Sequence, residues 1–155
     1  MIVVDSSALV AILENEPDAA IFAKAVAEAD RLLVSAVNVH ETGMVLRARR
    51  GEAAELRLWR FLLDDNDFEI VPFDEIQARS ALAAFNRYGK GLHSKARPNL
   101  ADCASYALAK HMVAPLLFKG NDFAATAMRG RRPAGRAGSI AIRVAKIISI
   151  RYNQS

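Results

Sequence analysis

The feature that most constrains this chain is a series of short apolar runs, each separated from the next by a stretch with helical spacing. The runs are Ile2-Val3-Val4, Leu32-Leu33-Val34, Phe68-Glu69-Ile70-Val71 and Leu116-Leu117-Phe118. A strand covered on both faces needs apolar residues at nearly every position, and parallel strands are joined by helices that supply the covering. The pattern predicts an α/β fold, a parallel sheet of four to five strands flanked by helices in three layers. Helices are expected from Ser6, as a candidate cap, to Leu13, after Asp18, from Ser35 to near Gly51, from Ala53 to Leu63, from Asp74 to Tyr88 and from Asn99 to about His111. Ile21, Phe22, Leu56, Trp59, Phe61, Leu63, Ile76, Ala81, Leu82 and Phe85 are expected to pack inward.

Composition matters at one point, the placement of charge. The 155 residues carry a formal charge of +4, yet residues 1–128 hold all 17 acids and 14 of the 21 bases. The other seven bases fall in residues 129–155, which open with Arg129-Gly130-Arg131-Arg132-Pro133 and read as a linker. Two parts are therefore expected: a folded domain over 1–128 and a basic Gly/Arg-rich tail over 129–155. Ile140, Ile142, Val144, Ile148, Ile150 and Tyr152 alternate within that tail. It is read as a nucleic-acid arm, an added strand, or a disordered segment foreign to the domain. The single cysteine, Cys103, excludes an intramolecular disulfide framework and a multi-cysteine zinc site. No apolar run approaches the ~18 residues of a membrane span. Met1-Ile2-Val3-Val4-Asp5 lacks the basic lead of a signal peptide, so a cytoplasmic protein is expected.

In open α/β sheets, chemistry collects beyond the carboxyl ends of the strands. Asp5 ends the first apolar run, and Asp122 follows the fourth. Glu41 lies one or two helical turns past the second, and Asp102 sits in the first turn of the Asn99 helix. Each acid alone has a plain reading as a cap, a turn residue or a solvated charge. Brought to one edge, the four would repel, and no Lys or Arg stands at a spacing that suggests buried pairing with Asp5, Glu41 or Asp102. A hard divalent cation, Mg²⁺ or Mn²⁺, is the economical counter-charge. Such a site lowers the pKa of a bound water and holds a phosphodiester for in-line attack. A haloacid-dehalogenase-type phosphatase would need an Asp where Ser7 stands. No phosphate-binding glycine loop or Walker lysine loop follows any of the runs.

Four segments together resemble the PIN-domain ribonucleases, in particular VapC-type toxins of toxin–antitoxin pairs. They are Met1–Leu9 with Asp5 and Ser7, Ser35–Glu41, Asn99–Ala109 with Asp102, and Leu116–Phe123 with Gly120, Asn121 and Asp122. The resemblance implies a PIN-like three-layer sandwich and Mg²⁺- or Mn²⁺-dependent cleavage of RNA. It implies that Asp5, Glu41, Asp102 and Asp122 are the catalytic, metal-binding quartet. It further implies a homodimer, a cognate antitoxin that blocks the site, and operator DNA engaged only through that antitoxin. Two other functions remain open at this point: a non-catalytic PIN-like binding module, and a metal-dependent phosphatase.

Several residues around the quartet carry two readings. Ser7 either orients a ligand or caps the first helix, and Asn121 touches the site or shapes the turn. Lys90, Lys95 and Arg97, in the loop before Asp102, are candidate RNA-phosphate contacts. Arg47, Arg49 and Arg50 complement the dipole of the Glu41 helix or touch RNA. Trp59, Phe61 and Leu63 form core or the groove for an antitoxin helix. Cys103 is read as a small buried filler.

Overall fold

Three apolar residues form the central strand, β1 (Ile2–Val4), and the sheet grows from it on both sides. The structure is a computed structural model that describes residues 1–88 and 98–120. Asn121, Asp122, the loop residues Lys90, Lys95 and Arg97, and the tail all lie outside the described residues. After β1 come helices α1 (Ser6–Leu13) and α2 (Ala19–Ala27), strand β2 (Leu32–Ser35), and helices α3 (Ala36–Arg50) and α4 (Glu52–Trp59). A π-helical segment (Arg60–Asp65) leads to β3 (Glu69–Val71), followed by α5 (Glu75–Tyr88), α6 (Leu100–His111) and β4 (Leu116–Leu117). The four strands among the described residues are all parallel, in the order β3-β2-β1-β4. Val3 pairs with Leu33 on one side and Leu116 on the other. The expected α/β architecture is observed.

Alternate side chains along each strand point to opposite faces. Val4, Val34 and Leu117 join Leu9, Phe22, Leu46, Leu58 and Leu62 in one core. Val3, Leu33 and Leu116 join Leu108 and Phe118 in the other. That division is why the strands read as unbroken apolar runs. The edge strand β3 is the exception, with Glu69 exposed and Ile70 and Val71 half-buried.

Two helices differ from their expected packing. The stretch expected as one helix over 53–63 divides into α4 and the wider-wound segment Arg60–Asp65, and its inward stripe is Ala54, Leu58 and Leu62. Leu56, Trp59 and Leu63 are exposed, Trp59 at 42%; Phe61 is partly buried, its ring centroid 5.9 Å from that of Phe68. In α5 the inward residues are Gln77, Ala81 and Ala84, whereas Ile76, Leu82 and Phe85 are exposed. The reason is close approach: Ala81 meets Cys103 and Ala107 of α6, and only small side chains fit there. Ile21 on α2 is likewise exposed, while Phe22 is buried.

Gly51 separates α3 from α4 at φ 79° and ψ −171°, and its N–H closes α3 on the Arg47 carbonyl at 2.9 Å. A side chain rarely tolerates that backbone, which is why a glycine punctuates the two helices. No described helix is long and apolar enough to cross a membrane.

Candidate active site

The carboxyl ends of β1, β2 and β4 open onto a cavity of about 400 Å³. Asp5 follows β1 directly. Its backbone is extended (φ −82°, ψ 156°), and its N–H is fixed to the Leu117 carbonyl of β4 at 2.9 Å. The residue is the N-cap of α1 and is 1% exposed.

The Asp5 carboxylate accepts four hydrogen bonds from three separate elements. Oδ2 accepts from the Ser7 backbone N–H at 2.9 Å and from the Ser7 hydroxyl at 2.5 Å. Oδ1 accepts from Asn38 Nδ2 of α3 at 3.0 Å and from the Ser105 hydroxyl of α6 at 2.8 Å. All the donors are neutral, and no ion pair joins Asp5 or Glu41 to a described Lys or Arg. The cap of α1 is Asp5 and not Ser7, whose hydroxyl donates to Asp5 and accepts from the Lys119 N–H at 3.0 Å.

Glu41 projects from α3 into the same cavity. Its Oε2 accepts from the Ser6 hydroxyl, and its Oε1 accepts from Asn99 Nδ2 at 3.2 Å. Asn99 also caps α6 reciprocally. Its Oδ1 accepts from the Asp102 N–H at 2.8 Å, and its own N–H donates to Asp102 Oδ2 at 2.7 Å. One asparagine thereby links two of the acids. The sequence alone does not single out Asn38, Ser105 or the bridging side chain of Asn99; Ser6, expected as the cap of the first helix, is its first residue, and Asp5 is the cap. A signal existed: Asn38 precedes Glu41 by three residues and Ser105 follows Asp102 by three, the spacing that places helix neighbours side by side.

The rim of the cavity carries Glu16, Arg49 and Lys119. The Lys119 ammonium donates to Glu16 and, at 2.9 Å, to Asp18; these two bonds raise its pKa above the ordinary lysine value. Cys103 is buried beside Asp102. Burial, followed by the Asp102 charge, pushes its thiol up to about 11, so at neutral pH it is an inert filler.

Three of the four expected acids, Asp5, Glu41 and Asp102, line this one cavity; the fourth, Asp122, lies outside the described residues. Among the described residues, no three Asp, Glu, His or Cys side chains form a ready-made metal-binding group. A carboxylate has about four lone-pair positions, and all four on Asp5 are taken. In kind, the donors suit a hard divalent cation: carboxylate oxygens beside hydroxyl and amide oxygens, with hydroxyl and amide groups as the hydrogen-bond donors to Asp5. One donor can turn away, because the Ser105 hydroxyl also lies 3.1 Å from the Asp102 carbonyl.

A family model described as the PIN domain matches residues 2–128. Ribonuclease VapC30 of Mycobacterium tuberculosis is 48% identical over 124 residues, covering 78% of this chain and 91% of that protein. Ribonuclease VapC28 of the same organism is 42% identical over 127 residues, covering 82% and 95%. Among solved structures, VapC20 of M. tuberculosis, a toxin that cleaves the sarcin–ricin loop, superposes with a TM-score of 0.68 at 18% identity, covering 86% of this chain and all of that one. A chain of a toxin–antitoxin complex from Klebsiella pneumoniae superposes with a TM-score of 0.62 at 17% identity, covering 82% and 93%. The acids at the strand ends thus sit in a fold and a sequence shared along nearly the whole domain, and this chain belongs to the PIN-domain family, among its VapC ribonucleases.

Proposed function

We propose that this chain is the toxin of a toxin–antitoxin pair, a cytoplasmic endoribonuclease that hydrolyses RNA phosphodiesters at the cavity beyond β1, β2 and β4. One observation carries the reading. Acids from three elements face one cavity, and the most buried of them is held only by neutral donors. Its four hydrogen bonds hold Asp5 in place but bring no positive charge, so the repulsion among the three acids is relieved when a cation enters. Asp5, Asp102 and Asp122 are the residues that would hold Mg²⁺ or Mn²⁺, with Glu41 at a second cation or on the attacking water. When bound, the cation supplies an acidified water and a counter-charge for the phosphate oxygens. Asn38, Ser105 and Ser7 fix the Asp5 carboxylate before substrate arrives, and Asn99 ties Glu41 to the start of α6, so little reorganisation is left for the reaction itself.

The partner side of the reading draws on exposed apolar residues. Leu56, Trp59 and Leu63 stand out from α4 and the segment after it, which favours a partner surface over core for Trp59 and Leu63. They are assigned to the antitoxin. Ile76, Leu82 and Phe85 on α5 are assigned to a second copy of the chain, and operator DNA is reached only through the antitoxin. Lys90, Lys95 and Arg97 remain proposed RNA contacts, and Asn121 a turn residue beside Asp122.

The purified protein should be given RNA and, separately, a small phosphomonoester, each with Mn²⁺ and with EDTA. Mn²⁺-dependent cleavage of RNA alone is expected. Turnover of the phosphomonoester would favour a phosphatase, and inertness toward both would favour a binding module.

A further inference from the structure

The fold divides the basic run at the end of α3. Arg47 Nη1 holds Glu55 of α4 at 2.7 Å, and Arg50 Nε holds Glu14 at 3.2 Å. Both act as clasps between elements. Arg49 instead lines the cavity with its side chain 53% exposed, and its one ion pair among the described residues is with Glu16 at 4.0 Å. That glutamate is already engaged by Lys119. An exposed pair at such a distance, with a shared partner, contributes little.

Glu41, Val45 and Arg49 follow one another at intervals of four and all line the cavity, so they form one stripe along α3. A rise of ~1.5 Å per residue puts the Cα of Arg49 about 12 Å along the helix from that of Glu41. A stacked strand advances about 3.4 Å per nucleotide, so this separation corresponds to a few nucleotides. The strand entering this cavity is a polyanion, and the walls carry Asp5, Glu41, Asp102 and Glu16. Two described lining residues are cationic, and Lys119 is held by two carboxylates. Arg49 has the charge, the exposure and the planar fork that suits a phosphate.

We propose that Arg49 grips the RNA backbone at the mouth of the cavity, binding a phosphate a few nucleotides from the one that is cut, while Glu16 stays with Lys119. The assignment rests on the ribonuclease reading and adds to it the residue that sets the path of the strand.

The test compares Arg49→Gln with Arg47→Gln, which removes the same charge from the same helix on a side that faces Glu55. Binding of a short fluorescein-labelled single-stranded RNA of mixed sequence is followed by anisotropy across a range of KCl, with Ca²⁺ replacing Mg²⁺ so that the RNA stays intact. Arg49→Gln is expected to weaken binding several-fold and to reduce the slope of log K against log salt by about 0.7, one phosphate contact on a single strand. Arg47→Gln should keep the parent slope, and Arg49→Lys, which retains the charge, should stay close to it. Circular dichroism confirms that each variant is folded. Equal slopes for Arg49→Gln and Arg47→Gln overturn the proposal. Mn²⁺-dependent cleavage by the unaltered protein separates the two levels. If it cleaves RNA and the slopes are equal, only the role of Arg49 falls. If it neither binds nor cleaves RNA, the ribonuclease reading falls and takes the role with it.

Discussion

Asn38 Nδ2 lies 3.0 Å from Asp5 Oδ1, joining α3 to the end of the central strand across 33 residues of sequence. The same amide reaches the Ala101 carbonyl at the start of α6 at 3.2 Å, and Asn38 is fully buried. One neutral side chain therefore sets the spacing among the three elements that carry Asp5, Glu41 and Asp102.

Replacing Asn38 by Ala should destabilise the protein by about 2–3 kcal/mol, because a buried carboxylate loses a donor. That corresponds to a fall of roughly 4–12 °C in Tm for a chain of this size. RNA cleavage at fixed Mn²⁺ should fall ~10–100-fold, as expected for a residue that orients a ligand. A thermal scan in EDTA and a cleavage assay check both. An unaltered rate in a destabilised protein would leave Asn38 with a structural role alone.

Asp102→Asn and Asp5→Asn should both abolish cleavage, but they should part company in stability. Asp102 takes its cap bond from the Asn99 N–H, which an amide oxygen still accepts, so the loss in Tm should be the smaller of the two. Asp5→Asn should cost more. All four Asp5 contacts are donors, so an amide turns its own N–H toward one side of them. A loss of about 1–3 kcal/mol is expected from urea unfolding.

Gly51→Ala tests the joint between α3 and α4. A methyl there would meet nothing within 4 Å, so the whole cost is the backbone at φ 79°. We expect roughly 1–3 kcal/mol in chemical denaturation, with cleavage per folded molecule unchanged.

Lys119→Met should show its effect through pH. The folded lysine titrates above its unfolded value of ~10.4 because Glu16 and Asp18 hold the ammonium. Its contribution is therefore complete below about pH 10 and disappears as pH rises through the folded pKa. The difference between variant and parent should be constant from pH 7 to near 10 and then shrink. Urea midpoints at a series of pH values read it directly, and a gap that widens above pH 10 would contradict the assignment.

The strands were legible because burial on both faces leaves an uninterrupted apolar signature, as in Ile2-Val3-Val4, and the meeting of Asp5, Glu41 and Asp102 at one cavity followed from their places after the strands. The helix faces were less so. On α5 the large residues Ile76, Leu82 and Phe85 suggested the inner face, yet α6 comes so close that Ala81 and Ala84 pack inward and the large residues remain outside. On α4 the eye goes to Trp59, whereas the buried stripe is the four-residue spacing Ala54, Leu58 and Leu62. The cradle of Asp5 was hidden for a different reason. Ser105 lies 100 residues away in sequence, and serines and asparagines carry no periodic signal until the fold brings them together.

The cradle resembles a kinematic mount, in which an object is fixed by supports from independent bodies. Ser7, Asn38 and Ser105 belong to α1, α3 and α6, so displacing one helix tilts the Asp5 carboxylate without releasing it. A protein held in this way is hard to silence by distortion from a distance. Whatever restrains it gains most by filling the cavity or covering its mouth, where a single well-placed group does the work of a large deformation.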